Sequence, residues 1–251
     1  MANFDSFDGL SLYYDDQGDG PTVVLLHGFA ADMNVNYVRS GILDLLLDEG
    51  YRVIALDARG HGLSAKPTDS DAYADDAMKR DVVALFDHLG LTDVVLVGYS
   101  MGAHLSLRLV PDEPRVKALV LLGIGDGASG GESGPDRRDQ LLAVLEADSP
   151  DDVDDVSLRQ FRVMAGLDRE PLLAYIKAPG TNDPARLDAI TVPVLLIVGD
   201  DDENAGDPST LAEQLGATLV RVPGDHFTAN SRPELHRALL GFVADQQGGP
   251  R

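Results

Sequence analysis

Residues 94–102 read Val94-Val95-Leu96-Val97-Gly98-Tyr99-Ser100-Met101-Gly102, an apolar run that ends in a serine with a glycine two residues away on each side. A continuous apolar run rich in valine is typical of a strand that is buried on both faces. The residues that follow, from Ala103 to Leu109, predict a helix with a buried face. Where a strand turns sharply into a helix, the residue at the tip is strained and exposed, and its flanking positions have no room for side chains. The segment therefore predicts Ser100 as a nucleophile.

A serine nucleophile needs a base that takes its proton and an acid that holds the base in the correct tautomer. Two later apolar runs end in such residues. The run 194–198 leads into Gly199-Asp200-Asp201-Asp202, and the run 218–222 leads into Pro223-Gly224-Asp225-His226. The chain order serine, aspartate, histidine is the order in which the partners of such a serine follow it. We expect His226 to be the base and a carboxylate of the first cluster to be the acid.

Two further segments carry a resemblance to a known family. One is the predicted strand 22–26 with His27-Gly28-Phe29-Ala30 after it, and the other is Asp57-Ala58-Arg59-Gly60-His61-Gly62-Leu63-Ser64. Together with the Ser100 segment, they resemble the α/β-hydrolase superfamily from about residue 4 to residue 244, most weakly over 123–190. The resemblance implies that the backbone N–H groups of Phe29 and Met101 form an oxyanion hole. It also implies, from the spacing G-x-x-D that begins at Gly199, that Asp202 is the acid.

Other residues are candidates for the roles of acid and base. Asp126 follows the apolar run 118–122 at a position that some family members use for the acid, and Asp200 and Asp201 are adjacent carboxylates. The other five histidines lie in glycine-flanked turns or in helical patterns, whereas His226 alone follows a strand at the expected place. The trio Asp57, Arg59 and His61 is typical of a turn held by ion pairing and hydrogen bonds. Asp225 and His226 lack the further ligands that a metal ion would need, so we expect no metal and no cofactor.

Strands and helices alternate along the chain, which predicts an α/β fold with a mostly parallel central sheet and helices on both faces. An antiparallel hairpin is expected near residues 4–14. We expect one domain whose core comprises 1–122 and 191–251, with a small helical cap insertion and a connecting helix over 123–190. The predicted strands are 10–15, 22–26, 52–56, 94–97, 117–122, 193–198 and 218–222, and the predicted helices are 34–49, 74–90, 101–110, 208–216 and 232–245.

The segment 123–190 begins with six glycines between Gly123 and Gly134 and continues with short amphipathic helical patterns. In the family that the chain resembles, an insertion at this place covers the serine. Phe161 and Met164 then line a modest acyl pocket, unless these apolar side chains only close the cap's own core. Tyr99 and Phe227 flank the predicted catalytic residues and are further candidates for the pocket.

Composition excludes several classes of partner. With 42 acidic and 20 basic residues the formal charge is −22, which argues against binding to nucleic acid or to an anionic membrane surface. The acidic surface suits salt adaptation or reflects a biased composition. Without cysteine there is no disulfide, and no secretory signal or membrane-spanning run is visible, so we expect a cytoplasmic protein. The oligomeric state is left open.

The sequence therefore predicts a serine hydrolase that cleaves a small carboxylic ester or thioester through an acyl-serine intermediate. Perhydrolysis and hydrolysis of carbon–carbon bonds use the same three residues and are alternatives. A different class of function is a ligand-sensing receptor that keeps these residues, turns over slowly and uses its cap as a switch. Dehalogenase and epoxide hydrolase chemistry is not expected. In the family that the chain resembles, such chemistry needs an aspartate nucleophile at the position of Ser100.

Overall fold

One eight-stranded sheet runs through the protein, with strands in the order β1-β2-β4-β3-β5-β6-β7-β8. The computed structural model describes residues 2–126, 135–179 and 185–247. The strands are β1 (Ala2–Asp5), β2 (Ser11–Gln17), β3 (Thr22–Leu26), β4 (Arg52–Leu56), β5 (Val94–Tyr99), β6 (Val116–Leu122), β7 (Val194–Gly199) and β8 (Thr218–Val222).

The sheet is parallel from β4 to β8 and antiparallel only where β1 and β2 join it. Every residue of the central strand β5 is buried, as its continuous apolar sequence requires, whereas the edge strand β8 is largely half-exposed. Strands β1 and β2 form the antiparallel hairpin expected near residues 4–14. The predicted mostly parallel α/β fold is confirmed.

Helices cover both faces of this sheet. They are α1 (Ile42–Asp48), α2 (Ala77–His88), α3 (Met101–Leu109), α4 (Pro135–Glu146), α5 (Val156–Ala165), α6 (Arg169–Lys177), α7 (Pro208–Leu215) and α8 (Pro233–Gln247). Along β5, Val94 and Leu96 belong to a core cluster shared with α2, α3 and α7. Val95 and Val97 belong to a second cluster shared with α1 and α8. Because side chains alternate along a strand, one apolar run holds two helical layers.

The single helix predicted over 34–49 is wrong. The chain forms a π-helical turn at Asn34–Val38 and then the separate helix α1. Gly41 lies between them with φ 82°, a left-handed conformation that interrupts right-handed helix. The helix predicted from residue 74 begins only at Ala77, because Asp75 and Asp76 also have positive φ values of 52° and 56°.

Helices α4, α5 and α6 lie between β6 and β7 in the chain, within the segment predicted as a cap. Their buried side chains form one cluster with Phe29, Ala58, Met78 and Met101 of the strand-and-helix core. Helices α4 to α6, here called the cap, therefore pack directly on the loops around Ser100. Residues 127–134 of the glycine-rich stretch lie outside the described residues, and the division into a core and a cap stays a prediction. Within the described ranges, no helix is long and apolar enough to cross a membrane.

Candidate active site

Ser100 lies at the tip of the turn between β5 and α3 in a conformation that side-chain-bearing residues rarely adopt, with φ 49° and ψ −109°. The turn closes because its two flanking glycines lack side chains. A Cβ atom at Gly98 would lie 2.5 Å from the carbonyl oxygen of Gly102, and one at Gly102 would collide with the carbonyl oxygen of Leu26. The predicted strained turn is therefore the one observed, and it packs against the end of β3.

A continuous chain of hydrogen bonds joins the three predicted polar residues. The Nε2 atom of His226 lies 3.1 Å from the Ser100 hydroxyl oxygen. The Nδ1 atom of His226 lies 2.9 Å and 3.1 Å from the two carboxylate oxygens of Asp202. With Nδ1–H donating to the carboxylate, the Nε2 lone pair faces the serine hydroxyl and accepts its proton.

The parallel sheet brings these residues together. Each follows the carboxyl end of a strand, Ser100 after β5, Asp202 after β7 and His226 after β8. Strand β6 lies between β5 and β7, and Gly123 follows its last residue, Leu122. Gly123 has a positive φ of 65°, a left-handed conformation that favours glycine, and it lies beside the pair, since a Cβ atom there would be 3.4 Å from Cε1 of His226 and 3.5 Å from Oδ2 of Asp202.

Asp202 and His226 are only 8% and 5% exposed, and their loops are held by further bonds. Asp202 Oδ1 also accepts the backbone N–H groups of Asn204, at 3.0 Å, and Ala205, at 3.1 Å. The Tyr99 hydroxyl donates to the carbonyl oxygen of His226. Burial and nearby carboxylates hold the pKa of Tyr99 far above its usual value, so this hydroxyl stays protonated. Tyr99, predicted as a pocket residue, is 4% exposed and buttresses the histidine.

The competing acid is engaged elsewhere. Asp126 Oδ1 accepts the backbone N–H of Asp207 at 2.9 Å, and the N–H of Asp126 donates to the carbonyl oxygen of Asp207 at 2.9 Å. Asp200 and Asp201 are exposed. Asp202 is thus the carboxylate that the fold brings to His226.

Phe29 and Met101, the predicted oxyanion donors, belong to two segments that adjoin the serine. A Cβ atom at Gly28 would lie 3.4 Å from Cβ of Ser100, which places the Phe29 loop against the nucleophile. The N–H of Gly28 donates to Asn36 Oδ1 at 2.8 Å. Met101 begins α3, where the first N–H groups have no carbonyl acceptor within the helix.

Sequence reasoning missed Asn36, whose side chain holds the Phe29 loop. Its backbone carbonyl also accepts from the side chain of Asn230 at 3.1 Å, which ties this loop to the segment after His226. The sequence does not distinguish Asn36 from the several other polar residues of the helical pattern 34–49. The neighbouring Tyr37 donates its hydroxyl to the carbonyl oxygen of Leu26 at 2.7 Å and so holds the end of β3.

Two other histidines near the site are buried and uncharged. His27 lies 2.8 Å, through Nδ1, from the Gly28 carbonyl oxygen, and its Nε2 accepts the N–H of Ala58 at 3.0 Å. Burial lowers the pKa of His27. Burial, together with the neighbouring His27, lowers the pKa of His61 to about 3. His61 lies 3.0 Å, through Nδ1, from the Arg59 carbonyl oxygen.

Asp57 and Arg59 have the contacts of residues that hold a turn. The carboxylate of Asp57 accepts the N–H groups of Met33 at 2.9 Å and Leu63 at 2.8 Å. The guanidinium of Arg59 is fully buried and makes two 2.6 Å bonds to the carboxylate of Asp81. A paired, buried guanidinium of this kind fixes loop geometry.

Aromatic side chains surround the histidine on its cap side. The Phe161 ring lies 6.2 Å from the His226 ring and 5.3 Å from the Phe227 ring, measured between centroids. Phe29 lies 6.3 Å from Phe161 and 5.9 Å from Tyr175, an aromatic residue that sequence reasoning missed. Phe29, Phe161 and Phe227, which the sequence analysis singled out, therefore belong to one group of aromatic side chains.

Met164 is placed differently. It lines a separate cavity of about 350 Å³ together with Ala30 of the Phe29 loop and His61. Phe161 and Met164 lie about one turn apart on α5, and Phe161 is not among the described residues that line this cavity.

The arrangement is suited to proton transfer from a hydroxyl. The serine oxygen, an imidazole and a buried carboxylate are in hydrogen-bonded sequence. In the part of the chain that the structure describes, no three histidine, cysteine or acidic side chains lie together as a metal ion would need.

Known structures share this fold over nearly the whole chain. An esterase from Exiguobacterium antarcticum superposes with a TM-score of 0.76 at 26% identity, covering 96% of this chain and 98% of the esterase. A bromoperoxidase from Bacillus anthracis superposes with a TM-score of 0.71 at 26% identity, covering 97% of this chain and 100% of the bromoperoxidase.

Sequence similarity is concentrated in part of the chain. A putative non-heme chloroperoxidase from Synechocystis is 42% identical over 93 residues, which are 37% of this chain and 32% of that protein. An epoxide hydrolase from Caballeronia sordidicola is 37% identical over 95 residues, which are 38% of this chain and 28% of that protein. The matches thus span about a third of the length of these curated relatives.

A family model described as alpha/beta hydrolase fold matches residues 21–148, which include the Phe29 loop and the Ser100 turn. This match covers just over half of the 251 residues. The chain belongs to the alpha/beta hydrolase fold family.

Proposed function

We propose that the protein is a serine hydrolase that cleaves small carboxylic esters or thioesters through an acyl-serine intermediate. The observation that carries the proposal is the hydrogen-bonded chain from the Ser100 hydroxyl through His226 to Asp202, with Ser100 held in a strained turn. The esterase from Exiguobacterium antarcticum, whose fold matches over nearly the whole chain, is consistent with this activity.

In the first half of the proposed reaction, Ser100 attacks the carbonyl carbon while His226 Nε2 takes the hydroxyl proton. The charge that develops on the carbonyl oxygen is stabilised by the N–H groups of Phe29 and Met101. Asp202 stabilises the imidazolium and keeps Nδ1 protonated. The imidazolium then protonates the leaving alcohol or thiol, which departs and leaves the acyl group on Ser100.

In the second half, water enters in place of the leaving group, and His226 takes one of its protons as the water attacks the acyl-serine. Collapse of the second tetrahedral intermediate releases the carboxylic acid and returns the proton from His226 to Ser100. Water completes the cycle because an ester bond to serine is hydrolysable.

The need for a bond to serine that water can cleave also disfavours epoxide opening, although an epoxide hydrolase is among the relatives. Attack of a serine oxygen on a saturated carbon forms an ether, which water does not cleave under these conditions. A serine nucleophile therefore suits substrates with a carbonyl carbon, because water can cleave the acyl-serine that they form.

A second candidate activity is perhydrolysis, in which hydrogen peroxide replaces water in the second half. It is favoured by the names of two similar proteins, the putative non-heme chloroperoxidase and the bromoperoxidase. The acyl-serine is common to both activities, so what separates them is the nucleophile that attacks it.

A panel of p-nitrophenyl esters from acetate to octanoate tests the main proposal, and mass spectrometry of the quenched reaction measures acylation of Ser100. We expect continuous turnover and a transient mass increase equal to the acyl group on the peptide that contains Ser100. A single turnover followed by a stable acyl adduct would instead support the ligand-sensing alternative. Adding hydrogen peroxide and measuring peracid formation against acid formation decides between hydrolysis and perhydrolysis.

A further inference from the structure

A second cavity of about 350 Å³, here called the α3 cavity, lies between the core and the cap. One face of α3 forms its floor, since Met101, His104, Leu105 and Arg108 are spaced by three, one and three residues. Helix α6 and the residues after it contribute the opposite wall. Met101 connects this cavity to the site, because the same residue supplies a proposed oxyanion N–H and a lining side chain.

The charge of this cavity is opposite to that of the protein. Among the residues that the structure describes, its lining includes the cations Lys79, Arg108 and Arg138 and a single acidic residue, Asp76, which leaves two positive charges in excess. The whole chain has a formal charge of −22. A positive cavity within so acidic a protein attracts anions locally, because charges in a partly enclosed space are screened less than charges on the open surface.

Two of these three cations are paired with carboxylates, and the third bonds to an uncharged acceptor. Arg108 bonds to Asp76 at 2.6 Å, and Lys79 bonds at 2.6 Å to Asp112, which also bonds to Arg186. Arg138 donates to the backbone carbonyl of Ala178 at 3.2 Å, an uncharged acceptor. His104 adds a neutral hydrogen-bonding group, since burial and the nearby His226 lower the pKa of His104 to about 4.

We propose that the α3 cavity binds a carboxylate that the substrate carries at the end remote from the scissile ester. The inference rests on the proposed esterase activity and narrows its substrate class to half-esters of dicarboxylic acids or their thioester equivalents. Arginine and lysine are the side chains that recognise carboxylates, arginine by paired N–H donors.

The length of the substrate follows from helix geometry. Arg108 is eight residues after Ser100, which corresponds to about 12 Å along the axis of α3. A long arginine or lysine side chain spans part of this distance. The scissile carbonyl and the carboxylate are then separated by a chain of several methylene groups, longer than in a malonate or succinate half-ester.

The first test measures binding without hydrolysis, so it does not depend on turnover. Titration calorimetry compares monomethyl suberate with dimethyl suberate on the Ser100→Ala protein; the two ligands differ in one charged end. We expect the half-ester to bind about tenfold more tightly, the effect of a charge-assisted hydrogen bond. Equal affinities would overturn the proposal.

Variants then locate the charge effect. Replacing Lys79→Gln and Arg138→Gln together should abolish the preference for the half-ester. A matched control, Lys117→Gln with Arg237→Gln, removes the same charge from side chains that are 51% and 74% exposed and should retain the preference. Asp76→Asn should increase the preference, and asparagine tolerates the positive φ of this position. A preference that survives in the first pair, or falls equally in both pairs, contradicts the assignment to the α3 cavity.

Turnover separates this inference from the proposed function. On the wild-type protein, kcat/KM is measured for methyl half-esters from glutarate to suberate and for the corresponding diesters. Hydrolysis of both series at equal rates would overturn the carboxylate site and leave the esterase intact. Selective binding of half-esters with no hydrolysis of any ester would retain the site and overturn the esterase.

Discussion

The core and the cap of this protein position their functional side chains by different means. Around Ser100, backbone geometry decides which residues fit: a Cβ atom at Gly98 or Gly102 would collide with a carbonyl oxygen, and Gly123 has a left-handed φ of 65°. In the cap, apolar side chains pack into a cluster with the Phe29 loop, and side chains such as Arg159 and Arg162 donate to nearby backbone carbonyls. In the core, each of these positions therefore accepts only particular amino acids. In the cap, most positions need only an apolar side chain of suitable size.

This difference indicates which substitutions should affect the chemical step and which should affect substrate specificity. A core substitution that leaves the backbone in place removes one chemical group and therefore changes the rate on every substrate. A cap substitution changes the shape of the space beside the reacting carbonyl and therefore changes the rate on some substrates more than on others. The following predictions test this division.

The largest effect is expected for Ser100→Ala. Loss of the nucleophile should lower kcat for ester hydrolysis by at least about 10⁴-fold and abolish labelling by a fluorophosphonate probe. Ser106→Ala is the matched control, since this serine lies on α3, the helix that begins directly after Ser100, and its hydroxyl donates to the Gly102 carbonyl at 2.7 Å. The control should lose only about 1 kcal/mol of stability and keep its activity. Persistent labelling of Ser100→Ala would show that another residue is the nucleophile.

The next largest effect is expected for Asp202→Asn, at about 10⁴-fold in kcat, because the amide cannot stabilise the imidazolium. Its oxygen still accepts the N–H groups that bind Asp202 Oδ1, so the loop should keep its structure. Asp126→Asn is the control, because its amide oxygen still accepts the N–H of Asp207. If Asp126→Asn were the more damaging change by steady-state kinetics, the acid would be misassigned.

In the cap, Phe161→Ala should change chain-length preference more than it changes the rate on acetate. Among simple alkanoate esters, which carry no second carboxylate, we expect the wild-type protein to prefer short acyl groups and the variant to accept longer ones, with about 1–3 kcal/mol of transition-state binding involved per methylene. Val163 is on the same helix and 60% exposed, so Val163→Ala is the control. The measurement is kcat/KM for acetate, butyrate and octanoate esters, with thermal melting to monitor the cap. Unchanged ratios in Phe161→Ala would mean that this ring only fills the cap's own core.

The last prediction concerns the pH dependence of stability, which is measured as a free energy of unfolding and not as a rate, and it belongs to the core because all six histidines lie outside residues 135–179. The pKa of His61 is lowered to about 3 in the folded chain, so the unfolded chain binds its proton first. Stability should therefore fall as pH decreases from about 6.5 toward 3, with a slope of about 1.4 kcal/mol per pH unit from this residue.

His61→Asn should remove that contribution while retaining a side-chain N–H near the Arg59 carbonyl. Urea unfolding of both proteins between pH 7 and pH 4 gives the comparison. We expect the free energies of unfolding to converge as the pH falls. Parallel curves would mean that His61 takes up no proton on unfolding in this range.

Much of the fold and the geometry of the site follow from local signals in the sequence. The apolar run before Gly98 predicted β5, and the polar residues after β7 and β8 were predicted to meet Ser100 because parallel strands end at the same edge of a sheet. Asp202 needed the family spacing in addition, since Asp200 and Asp201 have the same chemistry.

What could not be predicted depends on contacts between distant residues. Asn36 supports Gly28 from a turn that the sequence predicted as continuous helix, and Gly41 changes the chain direction only because the backbone there is left-handed. Asp126 is held by Asp207, which is 81 residues later in the chain. The positive lining of the α3 cavity combines residues from α2, α3 and α4. No local pattern indicates these encounters.

Ser100, Asp202 and His226 follow three different strands, β5, β7 and β8. This arrangement has a consequence for folding kinetics. Ser100 and His226 are separated by 126 positions, and the turn at Ser100 also packs Gly102 against the end of β3. A partly assembled sheet lacks at least one of these partners. Recovery of fluorophosphonate reactivity during refolding therefore reports the last stage of sheet assembly, whereas far-ultraviolet circular dichroism reports helices that form earlier from local contacts.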